Sequence, residues 1–313
     1  MSKNQTITKL TSRATLAFSL TAIGSMTIAS PSAQAITLKI SATNLAPPLG
    51  AGLSVVWFGL HDGSYDLFNE GEIAPPGIET TAEDGITGVE VLLPEFLEAA
   101  ANSAFDDFDF NAFIEGKPTL ANTFTGSFQS LLYDSPLGLF PGETGTEIVT
   151  IDDDDIADHR FFAFASMLFP SNDAFIGNDD PIEIFDADGN FIPRDFILLG
   201  SDVWDAGTEV NDEITFVQDP INPSVPFGLD FLEFGTPENL PVIPFPGFST
   251  DNVFNAVPFL FNQNADFTVE GTQVARITIT AVSEPATVPE PATFLGLACF
   301  GGGLLLSGLK KGR

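Results

Sequence analysis

Nine consecutive uncharged residues, Phe161-Phe162-Ala163-Phe164-Ala165-Ser166-Met167-Leu168-Phe169, constrain this chain more than any other stretch. The run is short and apolar enough for a buried β-strand. Pro170-Ser171-Asn172-Asp173 stops it with turn chemistry. Pro181-Ile182-Glu183-Ile184-Phe185 follows, then the turn Asp186-Ala187-Asp188-Gly189-Asn190 and a second extended run to Leu199. The stretch closes on Trp204-Asp205-Ala206-Gly207-Thr208-Glu209. If the three runs are antiparallel neighbours, the reversals put the Asp173 loop and the Asp205–Glu209 loop at the same end of a sheet.

Two acidic loops at one end of a β-domain suit a hard cation. On a strand, Asp205 and Glu209 would share a face but stand roughly 13 Å apart. No single Ca²⁺, with oxygens at about 2.3–2.6 Å, takes both from that distance. Ala206-Gly207 between them has little bulk, and Gly207 is free to adopt φ > 0, so a curled loop brings both carboxylates to one point. The alternative is that these acids are simply solvated in a very acidic protein.

The chain is very acidic. It has 43 Asp and Glu against 11 Lys and Arg, a formal net charge of −32. All the acids lie after Ala35, where only Lys39, Lys117, Arg160, Arg194 and Arg276 face them before the last four residues. Such a domain repels nucleic acid and anionic lipid surfaces. It attracts divalent cations, or needs salt to screen its own repulsion. The 31 Phe argue against acidic disorder, because a disordered acidic chain is poor in apolar residues. Roughly 250 residues suffice for one sizeable core.

The Ser166-Met167 pair, the run Pro170-Ser171-Asn172-Asp173-Ala174-Phe175-Ile176-Gly177 and Asp205-Ala206-Gly207-Thr208-Glu209 together resemble the spondin domain, the N-terminal module of F-spondin and mindin. Val274-Ala275-Arg276-Ile277-Thr278-Ile279 resembles its last strand, and Val55-Val56-Trp57-Phe58-Gly59-Leu60-His61 its early apolar strand ending in His. The resemblance spans roughly Ile36 to Val282. It implies an all-β fold, a C2-like antiparallel β-sandwich with long irregular loops and one Ca²⁺ at a loop end. The family's acidic ligands match Asp173, Asp205 and Glu209. Ala174 stands where animal members have an aromatic residue, and Glu209 where they commonly have Asp.

Both ends of the chain carry sorting features. Residues 1–35 have the basic positions Lys3, Lys9 and Arg13, an apolar stretch from Ala14 to Ala29 and the small-x-small site Ala33-Gln34-Ala35, the pattern of a secretory signal. A linker with Pro289-Glu290-Pro291 covers 283–291. The uncharged stretch Ala292 to Leu309 and the basic end Lys310, Lys311 and Arg313 follow. That stretch just spans a bilayer, with the basic end inside. The whole resembles the PEP-CTERM sorting signal of bacteria with an outer membrane, which implies cleavage near Pro291 by an exosortase. The plain alternative is a retained anchor. Cys299, the only cysteine, lies in this segment, so the exported domain has no disulfide.

Elsewhere Ile36–Ile40, Leu53–Leu60, Glu147–Ile151 and Thr272–Val282 read as strands, and Gly88–Leu92 as a short one. Ala74-Pro75-Pro76-Gly77 reads as loop, and Pro94–Ala101 as the one helical segment. Phe105 to Phe113 mixes Phe with Asp, either a docking patch or a loop pinned to the core. Asp152-Asp153-Asp154-Asp155 reads as a solvated loop. Asp186-x-Asp188-x-Asn190 opens like an EF-hand, but Ile197 falls where the bidentate Glu belongs, so a hairpin turn is the better reading. Seven prolines make Asp219–Ser249 a long irregular excursion, packed by Phe227, Phe231, Phe234 and Phe245.

Support for an enzyme is thin. Two histidines, His61 and His159, are present, and no metalloprotease, nucleophile-elbow or phosphate-loop motif. His61-Asp62 reads either as a base with its orienter or as an ordinary core or surface histidine. A carboxylate-based glycoside hydrolase is the one enzymatic alternative. The favoured expectation is an exported binding or adhesion module of a cell surface or extracellular matrix. Its partner would be a surface protein or exopolysaccharide, with no nucleic acid and no membrane contact beyond the C-terminal segment. The rival is an inert structural matrix component.

Overall fold

The alternation Ile36-Thr37-Leu38-Lys39-Ile40 does what period-2 chemistry demands. Leu38, Ile40 and Ala42 are fully buried, and Lys39 between them is exposed. The computed structural model of the protein describes residues 35–102, 110–211, 236–248 and 261–282. In chain order its strands are β1 (Ile36–Asn44), β2 (Gly52–Leu53), β3 (Val56–His61), β4 (Phe128–Leu132), β5 (Thr144–Ile151), β6 (Phe161–Phe169), β7 (Ala174–Gly177), β8 (Ile182–Glu183), β9 (Arg194–Leu199), β10 (Val203–Asp205), β11 (Ile243–Pro244) and β12 (Gln273–Ala281). Its α-helices are α1 (Pro76–Asp84), α2 (Pro94–Ala101), α3 (Phe110–Ile114) and α4 (Leu120–Thr123).

These strands form an antiparallel β-sandwich. One sheet has the order β5-β1-β12-β9, and the other the order β11-β10-β7-β6-β3-β4, with β2 and β8 also pairing with β6. Between the sheets lie Leu38 and Ile40 of β1, Phe58 and Leu60 of β3, Phe162, Phe164 and Leu168 of β6, and Ile277 and Ile279 of β12. The second sheet is covered on its other face too. There Trp57, Ala163, Ala165 and Phe175 pack with Ile78 and Ala82 of α1, Phe96 and Ala100 of α2 and Leu120 of α4. A strand buried on both faces has no polar positions to alternate with, which is why β6 reads as an unbroken apolar run.

Several expectations are corrected. The 74–77 stretch is not all loop: Pro76 begins α1, and Gly85 at φ +66° ends it, its N–H bonded to the Thr81 carbonyl. Pro-Gly-Ile-Glu-Thr-Thr has little intrinsic helix preference, and burial of Ile78 and Ala82 outweighs it. Gly88–Leu92 is not a strand; Glu90–Leu92 forms a 3₁₀ turn with Glu90 buried, its Oε1 accepting from the Thr87 N–H and hydroxyl. The Leu53–Leu60 strand is broken into β2 and β3 at Ser54, whose hydroxyl accepts from the Met167 N–H. β4 and β7 were not anticipated as strands. Pro181–Phe185 contributes only the two residues of β8.

The apolar stretch Ala292–Leu309, residues 1–34, the residues 105–109 of the Phe and Asp pattern, and Phe227, Phe231 and Phe234 lie outside the described residues. Among the described residues no helix is long and apolar enough to cross a membrane. Phe245, from the described end of the proline-rich excursion, packs on Phe248 and Phe267 beside the core.

Candidate metal centre

After β6 the chain reverses through Pro170-Ser171-Asn172. The Ser171 hydroxyl donates to the Leu168 carbonyl at 2.5 Å and accepts from the Ala174 N–H at 3.1 Å, which clamps the turn. β7 then runs back along β6, pairing Met167 with Phe175 and Ala165 with Gly177. Asp173, at the head of β7, is fully buried by this reversal. β10 pairs antiparallel with β7, and Asp205 lies opposite Ala174. The two acidic loops therefore do meet at one sheet end. The route differs from the one the sequence suggested: β7 and β10 meet directly, whereas the run to Leu199 is β9 and belongs to the other sheet.

Gly207 curls the second loop, with φ +68°. A Cβ there would stand 2.5 Å from the Leu240 carbonyl oxygen, so the position needs glycine on steric and conformational grounds. The 236–242 segment packs along this loop: Leu240 N–H donates to the Gly207 carbonyl at 2.8 Å and Glu238 N–H to the Thr208 carbonyl at 2.7 Å. The curl turns the Thr208 and Glu209 N–H groups onto Asp173 Oδ2, at 3.0 and 3.2 Å. Asp205 Oδ1 accepts from the Gly207 N–H at 2.7 Å, and its Oδ2 accepts from the Asn211 side-chain amide. Asn172 donates to the Val210 carbonyl at 2.7 Å and ties the loops together.

The other oxygen of Asp173, Oδ1, is buried without a hydrogen-bond partner, and so is the amide oxygen of Asn211. A buried carboxylate oxygen with no partner is costly. Burial first, and the neighbouring Asp205 charge second, push the Asp173 carboxyl up to about 7, against the pull of the Thr208 and Glu209 N–H groups. Glu83, near the end of α1, is likewise pushed up to about 7, chiefly by burial. The Asp205 charge also raises Glu238, after burial. None of the domain's basic side chains pairs with Asp173 or Asp205: the ion pairs among the described residues are Lys117–Asp84, Arg160–Glu183 and Arg276–Asp195.

This donor set is all oxygen, negatively charged and partly dry, which fits Ca²⁺ and does not fit softer metals. Asp173 and Asp205 would hold the ion, which would supply the positive charge the site lacks. Glu209 is brought beside Asp173 through its backbone N–H and is 8% exposed. Among the described residues no three His, Cys, Asp or Glu side chains stand as a ready metal-binding cluster. Like charges do not converge fully unassisted, which accounts for a pair of carboxylates with further acids near it rather than a closed cage. Sequence reasoning missed Glu83, Thr208 and Asn211. Thr208 and Asn211 belong to the same loop and were available from it. Glu83 is far off in sequence on a helix whose first two residues were read as loop, and nothing local signalled it.

The other candidates resolve differently. His61 is fully buried, and its Nδ1 accepts from the Gly63 N–H at 3.1 Å. Asp62 accepts from the Ser64 N–H rather than orienting the imidazole. Tyr65, Phe124 and Phe161 surround the ring, and burial lowers its pKa, so it is a neutral core histidine. Asp186 Oδ1 accepts from the Asp188 and Asn190 N–H groups, and Gly189 takes φ +82°: a hairpin turn, not an EF-hand. Asp153–His159 is an exposed 3₁₀ segment that Asp152 precedes.

No family model matches this chain, and no curated protein matches it in sequence.

Proposed function

We propose that the chain is an exported binding or adhesion module of a cell surface or extracellular matrix, built on a spondin-type β-sandwich and stabilised by a Ca²⁺ ion at its loop end. Asp173 and Asp205 hold the ion, with Glu209 closing on it. One observation carries the reading: a wholly buried carboxylate, Asp173, with one oxygen unpartnered beside a second carboxylate and, among the described residues, no basic side chain to neutralise either. A cation restores the missing partner and charge. The β-sandwich and the motif residues at these loop positions support the spondin resemblance. The signal-like start and the Pro-Glu-Pro tail support export and exosortase processing. The role is non-catalytic, and the partner is a surface protein or an exopolysaccharide.

A ligand that binds only the folded state raises its stability by mass action. Added Ca²⁺ should raise the melting temperature of the exported protein, and chelation should lower it. A melting curve that neither reagent moves would remove the ion from the account. A pull-down with matrix polysaccharide and surface proteins separates a binding module, which retains a specific partner, from an inert matrix component, which retains none.

A further inference from the structure

Resting on the reading of a binding module, but on none of the residues of the cation loops, we infer that the partner is an uncharged polysaccharide. It sits in a cleft at one end of the first sheet, and its chain runs on over that sheet's outer face. The cleft, of about 400 Å³, lies where β1 ends and β12 begins, lined by Leu45, Pro47, Gln263, Asp266, Val269 and Gln273 among others. That volume is near the lower end for small-molecule sites, roughly 300–1,000 Å³. Its two walls are fixed on each other. Asn262 caps the 3₁₀ turn Gln263–Ala265, its Oδ1 accepting from the Asn264 N–H at 2.7 Å. Asn262 N–H donates to the Leu49 carbonyl at 3.0 Å and the Asn264 side-chain amide to the Pro48 carbonyl at 2.9 Å. Leu49 is held there at φ +59°, a conformation that bulky L-residues rarely take.

The lining has the chemistry that recognises a sugar. Gln263 and Gln273 are exposed, and each carboxamide carries donors and an acceptor in one plane. Asp266 Oδ1 accepts from the Thr268 N–H at 3.0 Å, which fixes the carboxylate and leaves Oδ2 as a further acceptor. Such groups bond neighbouring sugar hydroxyls, and Leu45, Pro47 and Val269 offer apolar surface to the C–H face of the ring. Among the described residues no aromatic or Arg side chain lines the cleft, and those are the anchors a protein partner needs. The outer face of the first sheet continues the surface. Leu45 N–H donates to the Val274 carbonyl at 2.9 Å, which prolongs the β1–β12 ladder into the cleft. Along that face β1 and β5 pair hydroxyl to hydroxyl, Thr43–Thr144 at 2.9 Å, Ser41–Thr146 at 3.0 Å and Thr37–Thr150 at 3.0 Å. Thr278 and Thr280 of β12 extend these rows, opposite Ser41 and Lys39. Among the described residues Asp195 is the one acid whose register puts it on this face, and Arg276 neutralises it, Nε to Oδ1 at 2.7 Å. In a chain with 43 Asp and Glu, this face therefore has no unneutralised carboxylate. The net charge of −32 repels an acidic polymer or a second copy, whereas an uncharged, hydroxyl-rich chain meets matching groups.

The test is affinity electrophoresis of the exported protein through gels that hold an α-glucan, a β-glucan, a mannan or a galactan, with alginate as the acidic comparison. At least one neutral polymer should retard the protein, and alginate should retard it less. The double variant Gln263→Ala/Gln273→Ala changes two exposed side chains, so it should melt and bind Ca²⁺ like the parent. Its affinity for the polysaccharide should fall by about tenfold, the loss of two hydrogen-bonding groups. Thr43→Val/Thr144→Val removes the hydroxyl pair nearest the cleft at nearly constant shape and should weaken binding by about threefold or more. Retardation by none of the neutral polymers, tighter binding to alginate, or undiminished retardation of either double variant overturns the inference. Each of these leaves the cation reading, which the Ca²⁺ titration decides, and a binding module that retains a surface protein. A parent that retains neither polysaccharide nor surface protein removes the binding-module reading as well.

Discussion

The protein has two acidic regions that read alike in sequence and behave as opposites in space. The run Asp152–Asp155 leads into an exposed 3₁₀ segment, and its four acids are all exposed. Asp173, Asp205 and Glu209 are each less than a tenth exposed, and backbone N–H groups are aimed at the Asp173 and Asp205 carboxylates. The first region needs nothing, because screening by water and salt makes its repulsion weak. The second is held together by a backbone that admits no alternative and carries charge that nothing in the described structure neutralises. Charge density therefore does not mark a binding site. What sets the two regions apart is enforced burial of charge.

The largest expected effect tests the enforcement. Gly207→Ala puts a Cβ into the Leu240 carbonyl and asks an L-residue to hold φ +68°. It should cost about 3 kcal/mol of stability by thermal or denaturant unfolding. Asp154→Ala in the exposed run should stay within about 0.5 kcal/mol. Equal costs would mean that the loop curl is not fixed.

The next effect concerns the ion. Ca²⁺ at roughly a hundredfold excess over its Kd should stabilise the parent by about 2.7 kcal/mol. Asp173→Asn should lose that increment and yet be no less stable than the parent in chelator, since it relieves a buried repulsion. Retention of the full increment in Asp173→Asn would break the contrast between the two regions.

Acid titration sharpens it further. Asp173 and Glu83 have folded pKa values raised from 3.8 and 4.5 to about 7. A folded pKa above the unfolded one means the folded state holds its protons longer. The stability this provides is complete below about pH 4 and is lost as pH rises through about 7. In chelator the melting temperature of the parent should therefore fall between pH 4 and pH 7 more steeply than that of Asp173→Asn. Saturating Ca²⁺ should flatten the difference at neutral pH, because the ion binds the deprotonated carboxylates. Identical pH profiles for parent and variant in chelator would contradict the burial argument.

Much of this architecture was legible in the sequence, for reasons particular residues show. The alternation in Ile36–Ile40 and Thr272–Val282 marks strands with one wet face, and the unbroken Phe161–Phe169 run marks a strand covered on both. What covers it was not legible. Helix α1 is a weak helix by composition and exists because Ile78 and Ala82 find a sheet to bury against, a fact located in tertiary structure. The same blindness hid Glu83. That the loops of Asp173 and of Asp205–Glu209 meet at one sheet end was legible from turn chemistry and the Ala206-Gly207 hinge. The direct pairing of β7 with β10 was not, because the four residues of β7 follow the Pro170–Asp173 turn at once and form too short a run to stand out as a strand.

The smallest expected change is at Glu209. Glu209→Asp keeps the charge and shortens the arm, so Ca²⁺ affinity should survive within about tenfold. Abolition of binding would show that the longer side chain is itself required.

The central claim is one specific site rather than a diffuse acidic surface, and a calorimetric Ca²⁺ titration of parent, Asp173→Asn and Asp154→Asn tests it most directly. The two variants make the same change in net charge. The account predicts one saturable ion per chain in the parent and in Asp154→Asn, and none in Asp173→Asn at the same concentrations. Equal losses in the two variants would contradict it and leave only a charged surface.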